Sequence, residues 1–177
     1  VAVGAVMVTH DFDWTQIQGV RDSKKLSEKA REKIYERALE LERDGALNMS
    51  VKFSSSKVID TYGIVPAIRA ALENTLIALK VPESAHVLLD GGLKAPEKYK
   101  NQQAIIKGDS KELVIALASI VAKVQRDRLM DKMAMGYPLY GLEKHKGYGT
   151  ASHIQSIKQH GASAIHRTSF LTNILKS

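Results

Sequence analysis

Two aspartates of this 177-residue chain stand where buried strands of an α/β sheet are predicted to end. Asp90 closes the apolar run HVLLD, and Asp109 follows QAIIK and Gly108. A carboxylate in such a position is costly to desolvate unless it is paired or bound to a cation. Taken singly, Asp90 fits an Asp-Gly turn and Asp109 fits a helix N-cap. Two such carboxylates in a basic chain favour a hard-cation site, because Mg²⁺ prefers a few carboxylates together with water and substrate phosphates.

Asp127, in the segment QRDRLMD (125–131), is a third candidate metal ligand. Charged residues in such a helical stretch usually form a solvated face, and the RDR sequence allows local ion pairs. The histidines show no zinc-binding spacing such as HExxH, and no GxGxxG phosphate-binding fingerprint is present. Carboxylate ligands are therefore the metal chemistry that this sequence indicates.

Two short polar segments could contact phosphate groups. DSKKL (22–26) joins a turn-forming Asp-Ser pair to two lysines, and HRTS (166–169) places a guanidinium beside two hydroxyls. Backbone N–H groups, hydroxyls and cationic side chains of this kind bind phosphate. The alternatives are a solvated loop before a helix for DSKKL and a helix cap for HRTS.

The segment KHKGYGTASH (144–153) holds Tyr148 between Gly147 and Gly149, just after a cluster of positive charge. One interpretation is a surface turn that the tyrosine closes. The other is an aromatic face offered to a sugar or base beside donors for phosphate, with the glycines letting the backbone approach a duplex closely.

Composition limits the class of partner. Lys and Arg total 26 against 19 Asp and Glu, which gives a net charge of +7 and favours a polyanionic partner, although many basic proteins bind none. There are no cysteines, so disulfides and thiolate metal sites are excluded, and a cytoplasmic location is expected. No apolar run approaches the roughly 18 residues of a membrane span, so no membrane association is expected.

Apolar periodicity predicts the elements that must position these residues. Strands are predicted over residues 1–8, 46–53, 86–90 and 103–107. Helices are predicted over Ser27 to Arg43 with Ser27 as N-cap, then over about 57–61, 65–79, 112–133 and 151–160, and from about Thr168 onward. GYPLYGLEKHKGYG (136–149) is predicted to be a loop. This order indicates one α/β domain with a mixed sheet covered by helices.

Five motifs in order, and at these spacings, resemble the bacterial ribonuclease HII (type 2 ribonuclease H) family over essentially the whole chain: DSKKL, VLLDGG, KGDS followed by ASIVAKVQRD, HKGYGT and HRTSF. The resemblance implies a single ribonuclease H-like domain over 1–177, with a mixed sheet flanked by helices and with C-terminal helices. It implies endonucleolytic cleavage of RNA paired to DNA, including single ribonucleotides embedded in duplex DNA. The implied products carry 3′-hydroxyl and 5′-phosphate ends, and the implied cofactor is Mg²⁺ or Mn²⁺ in a two-metal mechanism.

The resemblance also implies roles for individual residues. Asp90 and Asp109 match metal-binding catalytic aspartates, and Tyr148 matches the tyrosine that packs on the deoxyribose next to the ribonucleotide. Further contacts to an RNA–DNA hybrid, or to a DNA duplex containing ribonucleotides, are expected from Ser23, Lys24, Lys25, Lys107, His145, Lys146, Arg167 and Ser169. A monomer is expected.

The sequence departs from the family in one respect. The family opens with a strand that carries an Asp-Glu pair and a Gly-Arg-Gly turn, and these residues are not found in the 177 shown. We therefore expect a longer gene product, and little cleavage by the 177 residues alone. The alternative function is a catalytically impaired nucleic-acid-binding remnant of the same fold. A phosphate-binding metabolic enzyme is a third interpretation, but the chain lacks a phosphate loop.

Overall fold

The structure, a computed structural model, describes residues 1–172. Its strands are β1 (Ala2–Val8), β2 (Leu47–Phe53), β3 (Val87–Asp90) and β4 (Gln102–Ile105). Its α-helices are α1 (Glu28–Arg43), α2 (Ser56–Tyr62), α3 (Ile64–Ala78), α4 (Leu113–Gly136), α5 (Leu142–His145) and α6 (Ala151–His160). Short 3₁₀ turns lie at Trp14–Gln16, Ser23–Lys25, Gly108–Ser110, Pro138–Tyr140 and Thr168–Phe170.

The strands form one antiparallel and one parallel pair. β1 runs antiparallel to β2, with Ala2 opposite Phe53 and Val8 opposite Leu47. β3 runs parallel to β4, with Asp90 beside Ile105. Both strand directions of the mixed α/β fold expected from the sequence are therefore present.

The chain divides into two compact units. The strand unit comprises residues 2–53 and 68–124, and the helical unit comprises Val1 and residues 54–67 and 125–172. Helices α3 and α4 each contribute residues to both units. The expectation of a single domain stays a prediction.

The core of the strand unit is built on α1 and the first half of α4. Ser27 caps α1 by accepting a hydrogen bond from the Ala30 N–H, as the sequence predicts. The buried face of α1 packs against the buried face of α4, which carries Leu117, Ile120, Val121 and Val124. β1 lies close against α4 at Gly4, where an added Cβ would stand 2.6 Å from the Ala118 carbonyl oxygen. A second apolar cluster, built on α3 and β3, includes Leu72, Leu76 and Leu89.

The helical unit has its own small core of Tyr140, Leu142, Ile157 and Leu171. The loop predicted over 136–149 instead contains a 3₁₀ turn and the short helix α5. Left-handed backbone at Gly141 (φ 63°) and Lys146 (φ 51°) bounds α5. Four helical residues are too few to give a periodic apolar pattern, so the sequence did not indicate this helix.

The C-terminal helix predicted from about Thr168 starts as the 3₁₀ turn Thr168–Phe170, and its continuation beyond Thr172 lies outside the described residues. Within residues 1–172, no helix is both long enough and apolar enough to cross a membrane.

Candidate active site

Asp90 and Asp109 lie at one edge of the strand unit, although only Asp90 ends a strand, since Asp109 lies in the 3₁₀ turn Gly108–Ser110 that follows β4. Asp90 is the last residue of β3, and the parallel pairing sets it beside the last residue of β4. The Asp90 Oδ1 accepts a hydrogen bond from the Gly108 N–H at 2.8 Å. Because Gly108 directly precedes Asp109, this bond ties the two carboxylate-bearing residues to each other.

The turn after β4 allows this close approach. Lys107 adopts a left-handed conformation with φ 56°. A Cβ on Gly108 would stand 2.7 Å from the Ile115 Cδ1 and 3.3 Å from the Asp90 Oδ1. A side chain at this position would have to displace the Ile115 Cδ1 and shift the Asp90 carboxylate slightly, so the KGDS turn favours its glycine.

Lys24 is the cation that the structure places at this edge. Its ammonium lies 3.3 Å from Oδ2 of the buried Asp109, while the lysine side chain is 81% exposed. The hydrogen bond and charge of Asp109 raise the pKa of Lys24, and the charge of Asp90 adds to the effect. The ammonium of Lys24 therefore interacts electrostatically with both carboxylates, and its exposed side chain can move toward solvent.

The DSKKL turn holds Lys24 in place. Asp22 caps the 3₁₀ turn by accepting a hydrogen bond from the Lys24 N–H at 3.0 Å. The buried Ser23 hydroxyl lies 2.9 Å from the Ser119 hydroxyl of α4. The expected phosphate contact of Ser23 would therefore have to come from its backbone, since its side chain is engaged with α4.

The donor set at this edge fits a divalent cation that is shared with substrate. Asp90 and Asp109 supply carboxylate oxygens, which hard cations prefer. Among the described residues, no group of three or more His, Cys, Asp or Glu side chains is arranged to hold a metal. Two carboxylates without a closed cage suit a cation that completes its coordination with water and substrate phosphates.

Asp127, the third candidate, belongs to the helical unit and is buried. Its Oδ1 lies 3.6 Å from the Arg126 Nη1, an ion-pair distance, and that nitrogen has no hydrogen-bond partner within the described residues. This ion pair is the local pairing that the RDR sequence allowed. A metal role for Asp127 stays a prediction.

Tyr148 presents its ring at the surface of the helical unit, where it is 52% exposed. The Arg126 guanidinium lies 4.8 Å from the ring centroid, a cation–π arrangement. The same guanidinium donates from Nη2 to the Lys146 carbonyl at 2.9 Å. Arg126 therefore holds both the ring and the backbone of the loop, and the sequence pattern gave no sign of this role.

The two glycines beside Tyr148 differ. Gly147 has a φ of 76°, and a Cβ there would stand 3.0 Å from the Met130 Cε. Gly149 has nothing within 4 Å of such a Cβ, and its φ lies outside the left-handed region. Gly147 is therefore required by the backbone, whereas Gly149 leaves open space on the far side of the tyrosine.

His145 and Lys146, both predicted to contact nucleic acid, have internal partners in this structure. The His145 ring is buried and hydrogen-bonded to the Tyr140 carbonyl and the Gly147 N–H. The Lys146 ammonium contacts Asp131 and donates to the Glu143 carbonyl. Lys25 and Lys107 are exposed at the surface of the strand unit.

The HRTSF turn is held by Asp60, a residue that the sequence analysis did not single out. Asp60 accepts hydrogen bonds from the backbone N–H groups of Thr168 (2.7 Å) and Ser169 (3.1 Å) and from both hydroxyls. The Arg167 guanidinium lies 4.0 Å from the Phe170 ring centroid. The donors expected to grip phosphate are thus bound to a carboxylate 108 residues away in sequence.

This arrangement predicts an acid-labile turn. The hydrogen bond from the Ser169 hydroxyl, aided by the other donors, lowers the pKa of Asp60 from 3.8 to about 2. The docking contribution of Asp60 is therefore complete above pH 3.8 and is lost as the pH falls through about 2. We expect the Thr168 and Ser169 amide resonances to shift together with a midpoint near the lower value. In Asp60→Asn the shift should vanish, and an unchanged titration in that variant would contradict the assignment.

A family model described as Ribonuclease HII matches residues 1–173. Ribonuclease HII of Caldicellulosiruptor bescii is 49% identical over 159 residues, which cover 90% of this chain and 74% of that protein.

Two solved structures show the same fold. The first is the PCNA:RNase HII complex from Archaeoglobus fulgidus, with a TM-score of 0.74 and 24% identity over 98% of this chain and 88% of that one. The second is Bst-RNase HIII in complex with Mn²⁺, with a TM-score of 0.63 and 14% identity over 99% of this chain and 68% of that one.

Proposed function

Because this chain belongs to the ribonuclease HII family, we propose that it cuts the RNA strand of RNA–DNA hybrids and also cuts at single ribonucleotides embedded in duplex DNA. The family, the ribonuclease H-like fold and the enzyme class expected from the sequence are confirmed. We assign the active site to Asp90 and Asp109, and the observation that supports this assignment is the hydrogen-bonded turn that joins the two residues.

Ribonucleases of this family depend on a divalent metal, and Mn²⁺ is bound in the Bst-RNase HIII structure. In this chain Asp90 and Asp109 would hold the metal, and either Mg²⁺ or Mn²⁺ would suit their oxygens. Bound divalent cations activate water and stabilise the leaving 3′-oxygen in such hydrolyses. The products would carry 3′-hydroxyl and 5′-phosphate ends.

Three of the predicted residues, Lys24, Lys25 and Lys107, would bind and orient the duplex. Lys24 has an exposed side chain beside both carboxylates, so its ammonium can exchange Asp109 for a substrate phosphate. Lys25 and Lys107 would add phosphate contacts from the same unit. Such contacts fix the position of the duplex without reading its chemistry.

Tyr148 would distinguish a deoxyribose from a ribose next to the ribonucleotide. Its ring is braced by Arg126 and exposed to solvent, which suits packing on a deoxyribose next to the ribonucleotide. A ribose at that position would bring a 2′-hydroxyl against the ring, and this hydroxyl would lose its hydrogen-bond partner. The ring would therefore favour the junction at which RNA changes to DNA.

The test is cleavage of a DNA duplex that contains one ribonucleotide, with the full-length gene product. We expect a single cut that requires Mg²⁺ or Mn²⁺, and products with the ends given above. A matched all-DNA duplex should stay intact. Binding of the duplex without cleavage at either metal would instead support the impaired nucleic-acid-binding remnant. The expected monomeric state and cytoplasmic location stay predictions.

Replacement of Lys24 should test its two expected partners, a substrate phosphate and Asp109, by two different measurements. In Lys24→Met we expect duplex affinity to depend less on salt, with the slope of log K against log salt reduced by about one. Because the ammonium no longer competes for Asp109, half-maximal activity should need less metal. Lys29→Met, on the exposed side of α1, is the matched control. An unchanged salt slope in Lys24→Met would remove Lys24 from the phosphate contacts.

A further inference from the structure

Three buried histidine rings pack together beside the loop that carries Tyr148. The His145 and His153 rings are stacked, with centroids 4.3 Å apart, and the His153 and His166 centroids lie 5.3 Å apart. The Tyr140 ring covers His166 at 4.7 Å. Each of the three rings is buried, and the proposed reaction uses none of them.

These rings hold the backbone of Tyr148 on both sides. The His153 Nδ1 lies 2.9 Å from the Tyr148 carbonyl oxygen. The His145 Nδ1 accepts a hydrogen bond from the Gly147 N–H at 3.2 Å, and the Tyr148 N–H donates to the His145 carbonyl at 2.9 Å. The Thr150 N–H also donates to the Tyr148 carbonyl, at 2.8 Å. The backbone around the tyrosine is therefore held by two imidazoles and two peptide groups.

Hydrogen-bond partners assign the protons of the first two rings. The Tyr140 carbonyl can only accept, so the His145 Nε2 beside it, at 2.8 Å, carries a proton. The Tyr148 carbonyl likewise requires a proton on the His153 Nδ1. In neutral rings the His145 Nδ1 is then an acceptor, which suits the Gly147 N–H, and the His153 Nε2 is also an acceptor.

The third ring completes this pattern. The Ser163 N–H donates to the His166 Nδ1 at 3.1 Å, so that nitrogen is an acceptor and the His166 Nε2 carries the proton. This Nε2 lies 3.2 Å from the His153 Nε2, the one nitrogen that still needs a donor. With all three rings neutral, every ring nitrogen has a complementary partner.

If any of the three rings took up a second proton, its acceptor nitrogen would become a donor and would face another donor. The opposing donor would be the Gly147 N–H for His145, the His166 Nε2–H for His153 and the Ser163 N–H for His166. Burial lowers the pKa of both His153 and His166, and the charge of a neighbouring histidine lowers each further. Other charged or titratable groups facing the cluster and its loop are Arg126, Asp131, Lys146 and His160.

We propose that His153 is a positioning residue for Tyr148, with its tautomer fixed by His166 and its ring stacked on His145, and that this clamp works only while the three rings are neutral. The inference rests on the proposed reading of the sugar by Tyr148. It extends that function by making discrimination of a single ribonucleotide depend on pH through groups other than the carboxylates.

The direction of the pH effect follows from the lowered pKa of His153 and His166. Because its pKa is lowered in the folded protein, each of these histidines binds fewer protons when the loop is held than when the loop is released. Its contribution to holding the loop is therefore complete above 6.5, the ordinary pKa of histidine. The contribution is lost as the pH falls below that value toward the lowered pKa. The tyrosine should therefore lose its fixed position on acidification.

The first experiment measures the ratio of two cleavage rates, at a single embedded ribonucleotide and within a continuous RNA tract on DNA. Both substrates need the same aspartates, so titration of the metal site cancels in this ratio. We expect the ratio to fall at least about threefold between pH 7.5 and pH 5 in the wild type. His153→Ala should lower it about tenfold at pH 7.5, since small misplacements of a contact are costly.

His153→Asn keeps the donor, because the asparagine amide nitrogen takes the place of Nδ1, and it cannot be protonated near neutral pH. We expect its ratio at pH 7.5 to lie within about threefold of the wild type, with a flatter pH profile. This rescue also guards against poor folding of the alanine variant. A ratio equal to the wild type in His153→Ala, or an equally steep pH profile in His153→Asn, would overturn the inference.

Two further measurements separate this inference from the proposed function. Nitrogen-15 shifts of the imidazoles should show Nε2–H, Nδ1–H and Nε2–H tautomers for His145, His153 and His166, and any other pattern would overturn the clamp whatever the activity. Tyr148→Ala measured on the same two substrates tests the reading of the sugar itself. Loss of discrimination in Tyr148→Ala but not in His153→Ala would sink the clamp alone, and no loss in Tyr148→Ala would sink the proposed reading and the inference with it.

Discussion

Asp90→Asn and Asp109→Asn are each expected to lower cleavage by at least about a thousandfold, the largest loss that any substitution in this chain should cause. An amide oxygen can still accept the Gly108 N–H, so the turn that joins the two residues should survive in Asp90→Asn. What disappears is the negative charge that a divalent cation needs. Initial rates on a duplex with one ribonucleotide measure the effect.

The loss must be separated from unfolding and from loss of binding. The ion pair of Asp109 with the exposed Lys24 should contribute at most about 1 kcal/mol, so thermal melting should change little in either variant. Duplex affinity without metal should stay within a few-fold of the wild type. Asp44→Asn, at the exposed C-terminus of α1, is the matched control and should be fully active. Cleavage within tenfold of the wild type in both site variants would place the reaction elsewhere.

Tyr148→Ala is expected to lower cleavage at a single ribonucleotide by about ten- to a hundredfold, since aromatic stacking contributes about 1–3 kcal/mol per contact. Overall duplex affinity should fall much less, because phosphate contacts carry most of it. The two quantities are measured on the same substrate, the first by initial rate and the second by equilibrium binding.

Tyr148→Phe is the matched control for the ring. It keeps the face that packs on Arg126 and loses only the hydroxyl, so it should cleave at nearly the wild-type rate. Equal losses of cleavage and affinity in Tyr148→Ala would mean that the residue only closes the loop. A large loss in Tyr148→Phe would transfer the effect from the ring to the hydroxyl.

The sequence allowed the prediction of elements whose residues repeat regularly. α1 has a periodic apolar face and a serine cap, and the structure has both where they were expected. Asp90 could be placed at the end of a strand because an apolar run that ends in a charged residue signals a strand that leaves the core. Asp109 was expected at a strand end too, but β4 stops at Ile105 and Asp109 lies in the 3₁₀ turn that follows. The parallel pairing of β3 with β4 then brings these two ends to one edge.

Contacts between distant or locally irregular segments could not be predicted in this way. Asp60 lies in an ordinary helix, and only folding brings it to the turn at Ser169. The inward orientation of His145 depends on a four-residue helix without a periodic signal. Arg126 was visible only as part of a charged run, because its contact with Tyr148 crosses a stretch of irregular chain.

The unequal glycines beside Tyr148 set unequal limits on how this loop can diversify among relatives or in a laboratory library. At Gly147 almost every replacement meets both an unfavourable backbone angle and the Met130 side chain, so variation there should be purged. Gly149 meets neither obstacle, since a side chain at that position would enter open space. New side-chain contacts are therefore open to evolution on the Gly149 side of the tyrosine, while the Gly147 side is closed to them.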